Sequence, residues 1–387
     1  MHVLFITGEY PPMQGGVGDY TWKLASTLAE MGVDVHVLTA EEAGPAHLLP
    51  AGVENVYPVV GRWGWGLARQ VNIVVANASA DIVHIQYQAA AFDLHPAINL
   101  LPRFLRDSPA RVAVTFHDLR TPYVFPKAGP LRWRANLELA RHSDAVIVTN
   151  AEDYLRLSAT PELESRLHEI PIGANVLPDL PASYDRTAQR ARYGVGSDDL
   201  LLCYFGFLNE SKGGEELMDT VAALVADGVP AYLLMIGGHV GASDPTNAAY
   251  LDHVRRRVAD LGLRHRVHWT GFVGADEVSA AFAAADIAVL PYRDGASFRR
   301  GSLMAALAHG MPIVSTTPAV AIPQLRHGDN IWLAQVGSTE SLTAGVISLF
   351  RDAALRQRLA DGACRLASTF AWDSIAARHI EMYRGLS

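Results

Sequence analysis

One rhythm constrains this chain more than any other feature: short aliphatic or β-branched runs alternate with amphipathic stretches, and the pattern stops and then starts again near the middle. In the first half, His2 to Thr7, Val33 to Leu38, Ile82 to Ile85, Val112 to Phe116 and Ala145 to Thr149 read as strands. Helices are expected between them at Tyr20 to Met31, Pro96 to Leu105 and Leu131 to His142. Alternation of this kind specifies βαβ units and parallel sheets. From Asn175 to Gly196 the rhythm breaks at Pro178, Asp179, Pro181 and Asp185, a composition that reads as a linker. Strands resume at Leu200 to Phe205, Tyr232 to Ile236, Arg266 to Thr270, Ile287 to Leu290 and Ile313 to Ser315, with a helix from about Gly214. Helical patterns at Thr339 to Phe350, Ala353 to Ser368 and Asp373 to Leu386 close the chain, Phe370 and Trp372 standing between the last two. A chain of 387 residues exceeds one ordinary core, so two are expected. The fold class is α/β, with two Rossmann-like doubly wound domains: residues 1–178 together with 373–387, and residues 179–372.

The formal charge of −8 excludes a general nucleic-acid binder, which needs a basic stripe to displace counterions from phosphates. Cys203 and Cys364 lack metal-ligand spacing and read as two buried free thiols. The first residues form an immediate strand without a secretory pattern, and no apolar run approaches the roughly 20 residues of a spanning helix. A cytoplasmic location is expected. Two basic-aromatic groups, Arg62, Trp63, Trp65 and Arg69, and Lys127, Arg132, Trp133 and Arg134, read either as solvated faces or as a peripheral contact with the inner membrane face.

Polar groups concentrate where strands run into helices. Gly15-Gly16-Val17-Gly18-Asp19-Tyr20 follows the first strand, where glycines permit close backbone approach and a helix start offers N–H donors to a diphosphate or a phosphorylated acceptor. Many βα turns are glycine-rich for steric reasons alone. Phe205 to Gly214 repeats the arrangement in the second half, with Lys212 placed to meet a phosphate or, in the plainer reading, solvated at the surface. The stretch Leu290 to Ala306 is more specific: it leads from a strand through Asp294 and Ser297 to a helix start bearing Arg299, Arg300, Gly301 and Ser302. Guanidinium groups, backbone donors and a hydroxyl at one helix start form a candidate diphosphate cradle. His84, Gln86 and Tyr87, then His117 and Asp118, end two strands of the first domain and are expected to point into the cleft at the carboxyl edge of the sheet. His117 reads equally as a sugar contact and as a hydrogen-bonded structural group.

At these residues the chain resembles the retaining GT-B glycosyltransferases of family 4 over essentially its whole length. The resemblance rests on the Gly15 to Gly18 loop, Ile170 to Asn175, Gly206 to Gly213, Thr270-Gly271-Phe272, Asp286 to Pro291 and His309 to Thr316, in that order. Phe370-Ala371-Trp372 and the helix after it resemble the terminal crossover helix of that family. The resemblance implies a glycosyltransferase that moves a sugar from a nucleotide-diphosphate sugar, with no metal and no cofactor beyond that donor. The acceptor is then a sugar, a lipid-linked or a small molecule. It implies retention through an oxocarbenium-like front-face displacement, with phosphate stabilisation as the main catalytic contribution. His117, Lys212 and Arg299 are the expected catalytic residues. The donor side is expected to gather Gly16, Asn209, Lys212, Gly237, Phe272, Asp294, Ser297, Arg299, Arg300, Gly301, Ser302 and Leu303, with Phe272 packing the base. Gly15, Tyr20, Gln86, Tyr87 and Asp118 are expected on the acceptor side.

Three positions depart from the family pattern. Phe207 stands where an arginine follows the first donor glycine, and Ser297 and Ala305 stand where two glutamates are expected, the second a ribose ligand. Arg299 and Arg300 restore the phosphate charge, and Asp294 offers one sugar contact. A non-catalytic GT-B protein that binds a nucleotide sugar or partners an active transferase is the alternative reading. An epimerase or hydrolase on the same fold is a third, and requires paired carboxylates that the sequence does not display.

Overall fold

The computed structural model describes residues 1–13, 15–45, 51–119, 129–237 and 246–386. Its contacts divide into two units, Met1–Gly173 joined by Trp372–Ser387, and Ala174–Ala371. The first unit therefore ends at Gly173, where residue 178 was expected.

The first unit contains β1 (His2–Thr7), α1 (Gly16–Glu30), β2 (Asp34–Ala40), β3 (Asn55–Val60), α2 (Leu67–Ala78), β4 (Ile82–Tyr87) and α3 (Ala97–Phe104). It continues with β5 (Arg111–Phe116), α4 (Gly129–His142), β6 (Ala145–Val148), α5 (Ala151–Ser158) and β7 (Leu167–Glu169). The strands form one parallel sheet in the order β3-β2-β1-β4-β5-β6-β7. Successive side chains of a strand face opposite ways, and β1 shows the result: Leu4 and Ile6 enter one core, Val3 and Phe5 the other. Burial on both faces explains why the inner strands are apolar throughout rather than alternating. Each of these side chains contributes about 1.5–3 kcal/mol by leaving water.

The second unit contains α6 (Arg186–Ala191), β8 (Leu200–Phe205), α7 (Gly214–Ala226), β9 (Ala231–Ile236), α8 (Thr246–Asp260), β10 (Val267–Trp269) and α9 (Ala275–Ala284). It continues with β11 (Ile287–Leu290), α10 (Gly301–Ala308), β12 (Ile313–Thr316), β13 (Trp332–Ala334), α11 (Thr339–Arg351) and α12 (Ala353–Ser368). Its strands are also parallel, in the order β10-β9-β8-β11-β12-β13. The helices are capped locally: the side chains of Asn150, Ser338 and Asp352 accept the backbone N–H three residues on at α5, α11 and α12.

The stretch expected to be a linker is a structured part of the second unit. Asp185 caps α6 by accepting from Ala188 N at 2.8 Å, and Arg190 is buried. Its guanidinium donates to Asp286 Oδ2 at 3.1 Å and to the Ala284 carbonyl at 2.9 Å. The same carboxylate oxygen accepts from Leu201 N at 2.8 Å, so one partly buried ion pair fastens α6 to the starts of β8 and β11.

The last helix, α13 (Trp372–Arg384), belongs to the first unit. Trp372 lies on Gly173, where any β-carbon would collide with the indole. Tyr383 Oη meets His84 Nδ1 at 2.5 Å beneath β4. Phe370, two residues before Trp372, instead packs on Phe298 of the second unit, with ring centroids 4.7 Å apart.

Candidate functional site

In an open parallel sheet, ligands bind at the carboxyl ends of the strands where the strand order reverses. In the second unit that point lies between β8 and β11, and the loops leaving those two strands carry the cations. Beyond β8, Asn209 Oδ1 accepts from Ser211 Oγ at 2.8 Å and fixes the turn that presents Lys212. A β-carbon on Gly206 would lie 3.6 Å from Lys212 Nζ and 3.7 Å from the Ser302 β-carbon, so lysine, strand end and the start of α10 meet at one place. Ser211 also ties the two loops together, its carbonyl accepting from Arg293 N at 2.9 Å.

Asp294 is the hub of the second loop. Its Oδ2 accepts from Arg299 Nη2 at 3.3 Å and from Arg300 Nη2. Arg300 Nη2 also reaches Ser211 Oγ at 3.3 Å, and its guanidinium lies 5.2 Å over the Tyr292 ring. Tyr292 Oη shares a 2.6 Å hydrogen bond with Ser302 Oγ, the second residue of α10. Among the described residues no N-cap side chain caps α10, Tyr292 Oη meets the Leu303 backbone, and a β-carbon on Gly301 would meet nothing within 4 Å, so the helix start has room for an anion at Gly301. Two guanidinium groups and one lysine against one carboxylate leave this place net positive. Burial foremost and the Arg300 charge second push Lys212 down to about 7, while Asp294 opposes them.

Phe272 is 68% exposed beyond β10. Beside it, Gly237 forms a bridge with Gly271 and its N–H donates to Thr270 Oγ1 at 3.0 Å. Leu303, expected on the donor side, is a correction: its side chain is wholly buried and its N–H already donates to the Arg300 carbonyl at 2.9 Å. Ser297 is buried, and its Oγ accepts from Arg299 N at 3.5 Å. Ala305 lies in the core, so α10 carries no carboxylate there. Asp294, expected as a sugar contact, is engaged by both arginines.

In the first unit the strand order reverses between β1 and β4. His117, the first residue beyond β5, places Nε2 2.8 Å from Gln86 Oε1, and its ring meets the Tyr20 edge at 4.8 Å. Burial foremost and His379 second push His117 down to about 3, so it acts as a neutral imidazole. Gln86 is fully buried, and its Nε2 has no hydrogen-bond partner among the described residues. Asp118 follows, half-buried. Three expectations are corrected: His84 and Tyr87, expected to point into the cleft, and Tyr20, expected on the acceptor side, are all buried. Tyr20 is buried between His117 and Trp372. Tyr87 is buried on Phe116, with its Oη accepting from Asn99 Nδ2 at 2.9 Å. His84 is buried between Tyr383 and Thr115.

The glycine loop holds a feature the sequence reading missed. Gly15 precedes α1 with an extended backbone, and a β-carbon there would collide with the Glu9 carboxylate. Burial foremost and Asp19 second push Glu9 up to about 7, against a hydrogen bond from the Gly18 backbone; burial pushes Asp19 up to about 6. Carboxyl groups beside this helix start favour a hydroxyl-rich ligand over a phosphate. A β-carbon on Gly16 would meet nothing within 4 Å, so there is space beside that residue. The only local signal was position: Glu9 stands two residues beyond β1.

Of the basic-aromatic groups, Trp63 is buried against Phe92, whereas Trp65 is exposed and meets the His95 ring at 5.2 Å. Trp133 lies under the Arg156 guanidinium at 4.2 Å, and Lys127 falls outside the described residues. Among the described residues no helix is long and apolar enough to cross a membrane. Cys203 is buried, but Cys364 is exposed, contrary to expectation.

Comparison with known proteins places these features in a wider context. Residues 15–173 match the model of the glycosyl transferase 4-like domain, and residues 199–352 that of the glycosyl transferases group 1. The chain is 24% identical to the GDP-mannose-dependent alpha-(1-6)-phosphatidylinositol monomannoside mannosyltransferase of Mycobacterium tuberculosis, covering 99% of this chain and 98% of the relative. It is 23% identical to the N-acetyl-alpha-D-glucosaminyl L-malate synthase of Bacillus anthracis, covering 91% and 89%. Among solved structures, Anabaena HepE in complex with UDP superposes with a TM-score of 0.76 at 19% identity, each chain covered fully (100%).

Proposed function

The chain belongs to the family 4 glycosyltransferases, enzymes of GT-B fold that take a sugar from a nucleotide-sugar donor, and from that membership we propose how its own residues divide the work. The second unit binds the donor diphosphate on Lys212, Arg299, Arg300 and the open start of α10. The observation that carries this reading is the sharing of Asp294 by both arginines beside Lys212, at the point where the strand order reverses. Cations held there in advance stabilise the charge that develops on a departing diphosphate without reorganising during the reaction. Phe272 offers an exposed ring for the base. The two arginines stand in for the charge that Phe207 lacks, while the ribose has no carboxylate ligand at Ala305.

The first unit supplies the acceptor side. Neutral His117, held by Gln86, offers a hydrogen bond to a sugar hydroxyl, and Glu9 and Asp19 suit a polyol acceptor. Transfer proceeds with retention, needs no metal or further cofactor, and takes place in the cytoplasm or, for a lipid-linked acceptor, at the inner membrane face. The test is calorimetry against UDP, GDP and ADP and their sugars, followed by turnover on free sugars, sugar phosphates, inositol and phosphatidylinositol-mannoside vesicles, with product anomers read by NMR. Nucleotide-sugar affinity without turnover on any acceptor sinks the transferase reading in favour of a binding protein. Donor conversion with no acceptor added points instead to an epimerase or hydrolase.

A pH dependence follows from Lys212. Its value in the free protein, about 7, lies below the ordinary 10.5, and a bound diphosphate restores its proton. Affinity for a nucleotide sugar, whose diphosphate has no group titrating near neutrality, is therefore level below pH 7 and falls by about tenfold per pH unit above it, until the lysine of the complex itself titrates. Calorimetry at pH 8 in buffers of different ionisation heat should register nearly one proton taken up per nucleotide sugar. Lys212→Arg should flatten the profile, and an unchanged slope in that variant removes Lys212 as its source.

A further inference from the structure

The amino-terminal edge of the first sheet, opposite the edge that carries Gln86 and His117, gathers a second set of ligating atoms. His2 opens β1 and is paired in register with Asp34, which opens β2; His36 follows on the same face of β2. His2 Nδ1 lies 2.8 Å from Asp34 Oδ2, and His36 Nε2 lies 3.4 Å from Asp34 Oδ1. One ligand atom from each residue falls within 4.8 Å of the others. Tetrahedral ligation at about 2.0–2.1 Å sets ligand atoms roughly 3.3 Å apart, so around an ion the His2–Asp34 pair opens slightly and the widest spacing closes by up to about 1.5 Å.

Two further observations point to a ligand. His2 Nδ1 is a buried atom without a hydrogen-bond partner among the described residues, because its close approach to Asp34 is not aligned for one. The far nitrogen of His36 is held from behind: Nδ1 meets Tyr57 Oη at 3.1 Å, and the two rings stack at 6°. An outer partner on one imidazole nitrogen fixes the ring so that the other nitrogen presents its lone pair, which is how ligating histidines are ordinarily oriented. His2 is anchored as well, its backbone N–H donating to Asp81 Oδ2 at 2.8 Å.

We propose that His2, Asp34 and His36 form a zinc site that joins the amino ends of β1 and β2, with Tyr57 of β3 as its outer support. Two imidazole nitrogens and one carboxylate oxygen suit a borderline ion, whereas magnesium and calcium require oxygen ligands. Asp34 is exposed, so water supplies the fourth position. At the edge away from the strands' carboxyl ends, the ion is structural, and transfer itself remains independent of metal.

The test uses the full chain without an affinity tag, stripped by chelator and titrated with zinc chloride alone in a calorimeter, then with cobalt chloride for its visible absorption. One saturable site is expected, with a tetrahedral cobalt spectrum. Asp34→Asn, an exposed substitution that leaves the core intact, and His36→Gln should each weaken it more than tenfold, and Tyr57→Phe by about tenfold. Chelation should lower the melting temperature of the wild type but not of Asp34→Asn, and should leave turnover at 25 °C unchanged. Absence of saturable uptake at about 100 µM zinc overturns the proposal. Equal uptake by wild type and Asp34→Asn overturns it too, by placing the metal on other histidines.

Discussion

Lys212→Ala should lower the rate of sugar transfer by about a thousandfold, since removing one preorganised donor to a developing oxyanion costs about 2.7–4 kcal/mol of transition-state stabilisation. The loss should fall mainly on kcat, because charge on the diphosphate grows as the glycosidic bond breaks. Arg299→Ala and Arg300→Ala should each cost about 10–100-fold, and the double variant less than the product, because the two side chains share Asp294. Steady-state kinetics on folded protein, checked by circular dichroism, provides the measurement. A lysine that merely props Gly206 against the start of α10 gives a different result: a lower melting temperature with kcat intact. Normal kcat in all three single variants leaves the cradle without a catalytic role.

Gly213→Ala should be the most damaging single substitution near the site. Gly213 sits at φ +68°, and a β-carbon there would collide with the Pro291 carbonyl oxygen, a main-chain atom unable to move aside. Left-handed strain and steric overlap together cost about 3 kcal/mol or more, which for a unit of this size lowers the melting temperature by about 10 °C. Gly301→Ala is the matched control, since its β-carbon would enter open space. It should leave stability within about 0.5 kcal/mol while reducing nucleotide affinity, because a methyl group would stand where the phosphate approaches. Equal melting temperatures for the two variants would falsify the close packing of the Lys212 loop on the Pro291 loop.

The buried inner strands were legible because burial on both faces leaves long aliphatic runs, and β11, Ile287–Leu290, was read without error. The edges were not. β3 carries Pro58 and is largely half-exposed, while β7 and β13 are three residues each, too short for a periodic signal. Helix α6 was hidden by its prolines and acids, because the residue that secures it, Asp286, lies 96 positions from Arg190. The cationic residues were legible for the opposite reason: Asp294, Arg299 and Arg300 are neighbours in sequence, and Lys212 occupies the equivalent loop after β8, the strand beside β11 in the sheet. Glu9 and Asp19 lie ten residues apart on either side of a glycine loop, and only the fold of that loop brings them together. Nothing in the sequence near His84 announces that Tyr383, 299 residues later, is its partner.

That last pairing has a consequence for synthesis. Because α13 completes the first unit, a growing chain that has left the ribosome as far as residue 173 still lacks the helix that covers His84, Tyr20 and the apolar underside of β1 and β4. Nearly two hundred residues must be translated before that surface is closed. Release at residue 371 leaves the first unit without its final helix, so the place where that helix is encoded, rather than the speed at which either sheet assembles, decides when this surface closes.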